Sequence, residues 1–569
     1  MGTRKTRLLK LACSLSARAG QPLARLRNSR SPRGAAGRSV APYWRSPYRY
    51  GQQQNRLAGN MSIVRPRARA SATWLSASAL SVAFASVASA QVPTPTVTGP
   101  IAAPDIPGTP TRNYIFFAAN QAGPRSNHAG PLAEQGYTET EYFFSGSAHA
   151  YAASSALATA TVVAGPYPYM TRMVVREPAD KRRFNGVVLV EWYNVTNGFD
   201  AENLWFYDWE HILGQGYVWV GVSAQTIGVN TLTTWNPGRY GSLNVGIQSP
   251  PTSVTDPDAL SYDIFSQAGE AIRNDAAEVL NGLKPKLIIA TGESQSAFRL
   301  ANYVNNINPL GNVYDGFLML STIGQQIRPD LTQPVFKVLT EYDVQAAEAS
   351  IRQPNTSKYR SWEIAGQSHV DQHLRDSREP LELRDNPLAY PIASSTEAQL
   401  APTCGVPQLG TLLTTGDVIN TAFGDLVKWI QDGIPPPTAP YIQTTSIGSP
   451  APAPAVLARN SLGLAIGGIQ LPQVSVPTYL NVGTNSGPAG SACVRWGYHL
   501  PFSVDELNEI YTSYIQYVSL VAEAANADVA QGFIQPADAQ QIIYDAIQSG
   551  VGSPTQQQKQ QALQLYLSQ

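Results

Sequence analysis

Leu287-Ile-Ile-Ala-Thr-Gly-Glu-Ser-Gln-Ser-Ala-Phe298 is the stretch of sequence that decides the fold. An apolar run typical of a buried strand ends at Gly292, Ser294 follows two residues later, and a helix-forming stretch begins directly after it. This order of strand, sharp turn and helix is that of a nucleophile elbow, in which a strained turn exposes a serine hydroxyl at the end of a sheet. Small residues at 292 and 296 allow the strand and the helix to pack closely around Ser294.

Strand-like and helical segments alternate on both sides of this motif. Such alternation favours a mostly parallel central sheet with right-handed crossovers and helices on both faces, so the sequence predicts an α/β fold. A segment rich in Asn, Thr, Pro and Gly, 226–257, is expected to be an insertion over the sheet. The predicted strands are 141–144, 170–175, 186–192, 217–223, 287–292, 316–320, 335–339 and 359–364, and the predicted helices are 200–213, 262–283, 296–305, 416–432, 504–525 and 537–549.

Two further residues complete a possible catalytic set with Ser294. A serine hydroxyl is a poor nucleophile near neutral pH and needs a base, which in turn needs an acid to orient it. Asp343 and His369 each follow a predicted strand, and the carboxyl ends of parallel strands are where open α/β sheets place their sites. The chain order of serine, acid and histidine matches the α/β-hydrolase arrangement. We assign Ser294 as the nucleophile, His369 as the general base and Asp343 as the orienting acid, with Glu341 as the alternative acid.

The developing oxyanion of an acyl transfer needs preorganised hydrogen-bond donors. One donor is expected to be the backbone amide of Gln295, at the start of the helix. The second is expected from the loop after strand 186–192, as the amide of Tyr193 or of Trp192. The side chain of Asn194 is a further candidate for the same oxyanion hole.

Two other patterns have alternative interpretations. His369-Val-Asp-Gln-His373 could ligate a metal, but no second cluster of ligands accompanies it, so we expect no metal and no cofactor. His373 is instead expected to belong to a lid or to support the site. Glu139 and Glu141 could form the acid pair of a glycoside hydrolase. Their alternation on a strand places both on one face, which an exposed edge strand explains without any chemistry.

The first ninety residues differ in composition from the rest of the chain, with sixteen Lys and Arg residues and no Asp or Glu. Met61 opens a pattern typical of an export signal: a basic start at 65–69, an apolar stretch at 74–87 and a small-residue cleavage site. This predicts cleavage between Ala90 and Gln91 and a secreted or periplasmic protein. The apolar stretch is too short and too rich in Ala and Ser for a membrane anchor.

The formal net charge of zero conceals an acidic mature chain. Removal of the first ninety residues leaves 24 Lys and Arg against 40 Asp and Glu. This balance disfavours a nucleic-acid partner, which would require a basic face. Cys404 and Cys493 are the cysteines that remain, and in an exported protein an even pair favours a disulfide, with two separate buried thiols as the alternative.

Several stretches of the chain resemble the bacterial alpha/beta hydrolase domain-containing proteins. The resemblance extends from about residue 130 to about residue 550, and it implies a serine hydrolase with Ser294 as its nucleophile. It also implies that residues 371–500 fold over the active site and that the two cysteines pin this cover. The stretches that carry it are Gly136-Tyr-Thr-Glu-Thr-Glu-Tyr-Phe143, Phe184-Asn-Gly-Val-Val-Leu-Val-Glu-Trp-Tyr-Asn-Val195, Gly221-Val-Ser-Ala-Gln225, Ser261-Tyr-Asp-Ile-Phe-Ser-Gln267, Gly292-Glu-Ser-Gln-Ser-Ala297, Trp362-Glu-Ile-Ala-Gly366, Gly467-Gly-Ile-Gln-Leu-Pro472 and Pro501-Phe502.

These observations predict an exported esterase that cleaves a small-molecule or polymeric carboxylic ester through an acyl-enzyme on Ser294. An amidase or peptidase of the same fold, and a binding protein that kept the scaffold without catalysis, are the alternatives. Residues 1–60 are expected to be disordered and to result from a mis-assigned start codon, with a genuine basic extension as the alternative. The expected organisation after them is an export signal (61–90), a leader (91–130), a hydrolase core (131–370), a cover or lid (371–500) that contains core helix 416–432, C-terminal helices (501–553) and a frayed Gln-rich tail (554–569).

Overall fold

The computed structural model describes residues 92–101, 132–133, 135–379 and 397–567. The predicted upstream extension, the export signal with its cleavage site and most of the predicted leader lie outside the described residues. In the part of the chain that is described, no helix has both the length and the hydropathy that a membrane crossing requires.

A nine-stranded sheet with the order β1-β2-β3-β5-β4-β6-β7-β8-β9 forms the centre of the molecule. Strands β4 to β9 run parallel to one another, whereas β1, β2 and β3 form an antiparallel extension at one edge. The predicted mostly parallel sheet is therefore confirmed. The strands are β1 (Thr96–Thr98), β2 (Tyr137–Ala152), β3 (Thr161–Pro178), β4 (Val187–Trp192), β5 (Val218–Val222), β6 (Leu287–Glu293), β7 (Gly316–Leu320), β8 (Val335–Thr340) and β9 (Tyr359–Ile364).

Burial explains why the parallel strands read as continuous apolar runs in the sequence. Every residue of β4 to β9 is buried, so both faces of this part of the sheet are covered. The covering helices include α1 (Asn203–Gln215), α2 (Thr226–Trp235), α3 (Ser261–Asn274), α4 (Gln295–Asn302), α5 (Glu341–Ala346), α6 (Thr415–Asp432), α7 (Val504–Ile510), α8 (Tyr514–Gln531), α9 (Pro536–Gln548) and α10 (Gln556–Leu567).

Helix α1 extends two residues beyond the predicted end at residue 213 and is closed by Gly216. This glycine has φ 76° and its N–H donates to the carbonyl of Ile212, which closes the last turn in a left-handed conformation. A Cβ at this position would also lie 2.0 Å from the carbonyl oxygen of Arg183. Both the backbone conformation and the close approach therefore require glycine here.

The cover region contains a helix that belongs to the core. Helix α6 packs directly on the sheet, because a Cβ added to Gly316 of β7 would lie 2.6 Å from Cδ1 of Ile430. A disulfide joins Cys404 to Cys493, with 5.5 Å between the Cα atoms. The remaining elements of this region are short: the strands β10 (Thr444–Ile447), β11 (Ala455–Leu457), β12 (Tyr479–Val482) and β13 (Tyr498–Pro501), and the helical turns Glu397–Leu400, Pro472–Ser475 and Cys493–Trp496.

Several segments differ from the sequence predictions; the predicted helix 262–283, for example, ends as α3 at Asn274. Part of the predicted leader joins the sheet, because β1 pairs with β2 through Val97 and Phe144. The predicted helix 504–525 is broken into α7 and α8, since the hydroxyl of Ser513 caps the second helix by accepting from the amide of Gln516.

The Gln-rich tail was predicted to fray, and this prediction is wrong. Residues Gln556–Leu567 form α10, whose residue Ala562 is fully buried. The start of the helix is held by a reciprocal cap: the amide of Thr555 donates to the side chain of Gln558, whose amide donates back to the hydroxyl of Thr555. The composition of the tail concealed this local signal.

Candidate active site

The expected elbow is present between β6 and α4. Ser294 has φ 54° and ψ −115°, a strained conformation for a residue other than glycine. A Cβ on Gly292 would lie 3.0 Å from the amide nitrogen of Ala297 and from the carbonyl of Ser296, both of them backbone atoms. Only glycine therefore allows the strand to approach the helix this closely, and the turn presents the hydroxyl of Ser294 at the carboxyl end of β6.

The structure brings together the three residues that the sequence selects. Oγ of Ser294 lies 2.8 Å from Nε2 of His369, and Nδ1 of His369 lies 2.9 Å from Oδ1 of Asp343. With the ring proton on Nδ1, the imidazole donates to the carboxylate and accepts from the serine hydroxyl. The histidine and the aspartate are both buried, so this chain of hydrogen bonds is shielded from bulk water.

Asp343 has a second role at the start of α5. Its Oδ2 accepts hydrogen bonds from the amide and the hydroxyl of Thr340, each at 2.8 Å, in a capping box. One oxygen therefore fixes the carboxylate on the helix, and the other is directed at His369.

The alternative acid, Glu341, has other partners. Its carboxylate accepts from the amide of Gly366 at 2.7 Å and from Nη2 of Arg459 at 2.6 Å. It therefore links the loop that leads to His369 to the cover region, and Asp343 is the acid that contacts the imidazole.

A second carboxylate lies beside the histidine, and the sequence reasoning missed it. Oε1 of Glu293 is 3.4 Å from Nε2 of His369. Its other oxygen accepts from Nδ2 of Asn203 at 2.7 Å and from Nδ2 of Asn194 at 3.1 Å. Burial raises the pKa of Glu293, although the charge of His369 opposes this. In the sequence, only the position of Glu293 next to Ser294 in the elbow motif indicated that it could belong to the site.

The electrostatic surroundings of His369 favour its protonated form. Burial alone lowers the pKa of an imidazole, but the carboxylates of Asp343 and Glu293 outweigh that effect, so the pKa of His369 is raised. The site can therefore accept a proton from a serine hydroxyl more readily than an isolated imidazole could.

Two of the predicted oxyanion donors already donate hydrogen bonds to other groups of the protein. The amide of Tyr193 donates to the carbonyl of Val222 at 3.3 Å, as a continuation of the sheet. The side chain of Asn194 donates to Glu293, and Trp192 is the last residue of β4, with its indole nitrogen bonded to Gln225. The predictions for Tyr193 and Asn194 are therefore wrong, because these groups complete the sheet and orient a carboxylate.

The amide of Val195 replaces them as a candidate donor. It donates to Oε1 of Gln295 at 3.2 Å, so it faces the elbow; the same side chain donates through Nε2 to Oε1 of Gln225 at 3.0 Å. The amide of Gln295 lies in the first turn of α4, where backbone N–H groups have no partner within the helix. The amide of Gln295 follows Ser294 directly in the chain, and the amide of Val195 reaches the side chain of the same glutamine. Val195 directly follows Asn194, the last of the candidates that the sequence suggested.

The three candidate ligands in His369-Val-Asp-Gln-His373, namely His369, Asp371 and His373, are directed to different partners. Asp371 accepts from the amide and the hydroxyl of Thr415, and Nε2 of His373 lies 3.3 Å from Oε1 of Glu210. Among residues 92–101, 132–133, 135–379 and 397–567, no group of three or more His, Cys, Asp or Glu side chains is arranged to hold a metal ion.

Glu139 and Glu141 are not an exposed pair on an edge strand, as the sequence had suggested. Glu139 accepts from Nε of Arg176 at 2.8 Å, and Glu141 accepts from Nη1 of Arg172 at 3.1 Å, all four side chains being buried. The exposed-edge interpretation is wrong because the neighbouring strand β3 carries two arginines: Arg176 lies directly opposite Glu139, and Arg172 reaches Glu141 from two positions along the strand. Each carboxylate neutralises the positive charge of a buried arginine.

This fold and this placement of a serine, an imidazole and a carboxylate define the class of α/β hydrolases. The chain belongs to the family described as an alpha/beta hydrolase domain, whose sequence profile matches residues 97–544.

Several esterases are among the similar solved structures. The rice cell wall degrading esterase LipA from Xanthomonas oryzae shows 11% identity and a TM-score of 0.19, over 33% of this chain and 43% of that one. This chain thus spans less than half the length of LipA. Esterase Est22 shows 12% identity and a TM-score of 0.28, over 45% of this chain and 78% of that one. No curated protein matches the chain.

Proposed function

We propose that this protein is an exported serine esterase that cleaves a carboxylic ester through an acyl-enzyme on Ser294. The observation that carries the proposal is the hydrogen-bonded series Ser294, His369 and Asp343, with distances of 2.8 Å and 2.9 Å. The membership of the alpha/beta hydrolase family supports it. Export rests on the signal pattern at residues 61–90.

In the first half of the reaction, Oγ of Ser294 attacks the ester carbonyl carbon while its proton passes to Nε2 of His369. The amides of Gln295 and Val195 stabilise the oxyanion, once the side chain of Gln295 has left the second amide. The tetrahedral intermediate then collapses, His369 gives its proton to the leaving alcohol, and the acyl group remains on Ser294.

In the second half, water attacks the acyl carbon and its proton passes to the same nitrogen of His369. The second collapse releases the carboxylic acid and returns the proton to Ser294. Asp343 holds the imidazole in the required orientation in both halves and stabilises its charge. Glu293 adds a second negative charge next to the imidazolium.

A fluorophosphonate probe on the purified mature protein tests the nucleophile. We expect labelling that disappears in Ser294→Ala and persists in Ser519→Ala, a matched serine on α8 whose hydroxyl bonds Glu523 at the surface. Absence of labelling in the wild type would favour a binding protein that kept the scaffold.

Rates on p-nitrophenyl esters and on anilides of the same acyl groups test the bond that is cleaved. We expect the esters to be hydrolysed and the anilides to be hydrolysed far more slowly. Comparable rates on both would identify an amidase or peptidase instead.

A further inference from the structure

Arg495 is fixed against the loop that carries the histidine. It lies in the helical turn Cys493–Trp496, which the disulfide ties to Cys404. The amide of Val370, the residue after His369, donates to the carbonyl of Arg495 at 3.0 Å. The backbone of this arginine therefore cannot move far without moving the base.

The side chain of Arg495 lies at the flank of the imidazole. The ring of Tyr342 packs edge-on against His369, with 5.3 Å between the ring centroids. Burial raises the pKa of Tyr342, and the nearby guanidinium of Arg495 opposes that rise; the same charge acts on the pKa of His369 in the direction opposite to that of Asp343. Tyr342 and Arg495 are both partly exposed, so this flank is open to a ligand.

No acid neutralises this guanidinium within the described ranges of the chain. Two other arginines near the same region do have carboxylate partners: Arg459 pairs with Glu341 at 2.6 Å, and Arg352 pairs with Glu363 at 2.8 Å. Arg495 forms no such pair with a described residue. The charge of this partly exposed guanidinium weakens the stabilisation that the two carboxylates give to the imidazolium, and a bound anion would offset that effect.

We propose that Arg495 and Tyr342 form a subsite for an anionic group of the substrate, so that the preferred substrate is an ester bearing a carboxylate. This inference rests on the proposed esterase function and names its substrate class. A guanidinium presents a planar set of donors that matches a carboxylate, and the hydroxyl of Tyr342 supplies one more. The bound carboxylate cancels the charge of Arg495 and so restores the stability of the imidazolium in the transition state.

Two esters of matched length test the subsite: p-nitrophenyl pentanoate, which is neutral, and mono-p-nitrophenyl glutarate, which carries a carboxylate. For the wild type at low ionic strength, we expect kcat/KM to be at least about tenfold higher for the glutarate, as one charge-assisted hydrogen bond would provide. This preference should shrink in high salt, since the guanidinium is partly exposed.

The ratio of the two kcat/KM values is then measured in variants. In Arg495→Gln the ratio should fall by at least about tenfold, whereas Arg495→Lys should keep part of it. Arg182→Gln serves as the matched control: Arg182 is an exposed arginine in the turn before β4, at the amino end of that strand, whereas the candidate site lies at the carboxyl ends of the strands, so the ratio should not change. Tyr342→Phe should lower the ratio even if the Arg495 variants fail to fold.

The outcomes separate this inference from the proposed function. Hydrolysis of both esters that depends on Ser294 but shows no preference for the glutarate would overturn the anionic subsite and leave the esterase intact. A preference that survives in Arg495→Gln would also overturn it. No hydrolysis of either ester, together with no fluorophosphonate labelling, would overturn the esterase proposal itself.

Discussion

Oε1 of Glu293 lies 3.4 Å from Nε2 of His369, the same nitrogen that lies 2.8 Å from Oγ of Ser294. The imidazole therefore has a carboxylate on each side, with Asp343 at Nδ1 and Glu293 near Nε2. Two asparagine amides hold Glu293 in place, and its side chain is buried. A charge in this position stabilises the imidazolium without taking part in the transfer of the proton.

Glu293→Gln should lower the pKa of His369, because it removes a negative charge beside the protonated ring. The base must be neutral to act, so the acid limb of the profile of kcat/KM against pH should move to lower pH. The plateau should fall by about tenfold, since the imidazolium in the transition state is less stable. Rates measured from pH 4 to pH 9 on one ester, with wild type as reference, test both effects. An acid limb at an unchanged pH would show that Glu293 has only a structural role.

Substitutions of the proposed nucleophile and base should abolish activity while the fold is kept. Ser294→Ala and His369→Ala should each lower kcat by at least about a thousandfold, the effect that such substitutions have in enzymes with a serine, histidine and acid triad. Circular dichroism should show an unchanged spectrum. Retention of more than a tenth of the activity by either variant would refute the assignment.

Substitutions of the two acids on α5, Asp343 and Glu341, should affect activity and stability differently. Asp343→Asn should lose most of the activity, because its oxygen contacts Nδ1 of His369. Glu341→Gln should instead lower the melting temperature, since its carboxylate holds Gly366 and Arg459. If the activity were lost in Glu341→Gln and kept in Asp343→Asn, the roles assigned here would be reversed.

Buried acids should make the folded protein less stable as the pH rises. Burial raises the pKa of Glu191 on β4 from 4.5 to about 8, although the amides of Leu204 and Trp205 and the indole of Trp219 donate to it. The folded state thus binds a proton that the unfolded state releases near pH 4.5, and stability falls as the pH rises through 4.5 to 8. Glu191→Gln should show a shallower decline of melting temperature between pH 5 and pH 8 than wild type does. An equal decline in both proteins would assign the pH dependence to other groups.

Reduction of the disulfide should destabilise the protein. Cys404 and Cys493 are separated by 89 residues, and a cross-link over a loop of this length contributes roughly 3–5 kcal/mol to the free energy of unfolding. We expect a lower melting temperature with reductant in the wild type and no response in Cys404→Ser/Cys493→Ser. Equal melting temperatures with and without reductant would show that the bond contributes nothing to stability.

Much of the fold could be predicted because it depends on features that are local in the chain. Strand β7 has the bounds that the apolar run predicts, and the end of α1 at Gly216 follows from the special conformation that glycine allows. The prediction of a frayed tail was wrong because it relied on composition alone. The reciprocal cap of Thr555 and Gln558 begins a helix there. A short capping signal can therefore outweigh a biased composition.

The sequence by itself determined the elbow at Ser294 and the order in which the acid and the histidine follow it, since turn geometry and chain order are properties of neighbouring residues. Only the tertiary structure decided that Glu293 approaches His369, that Val195 rather than Tyr193 faces the elbow, and that Glu139 and Glu141 are held by arginines. These contacts join residues far apart in the chain, and their distances depend on how the strands align and how the side chains pack. No local preference of the backbone carries that information.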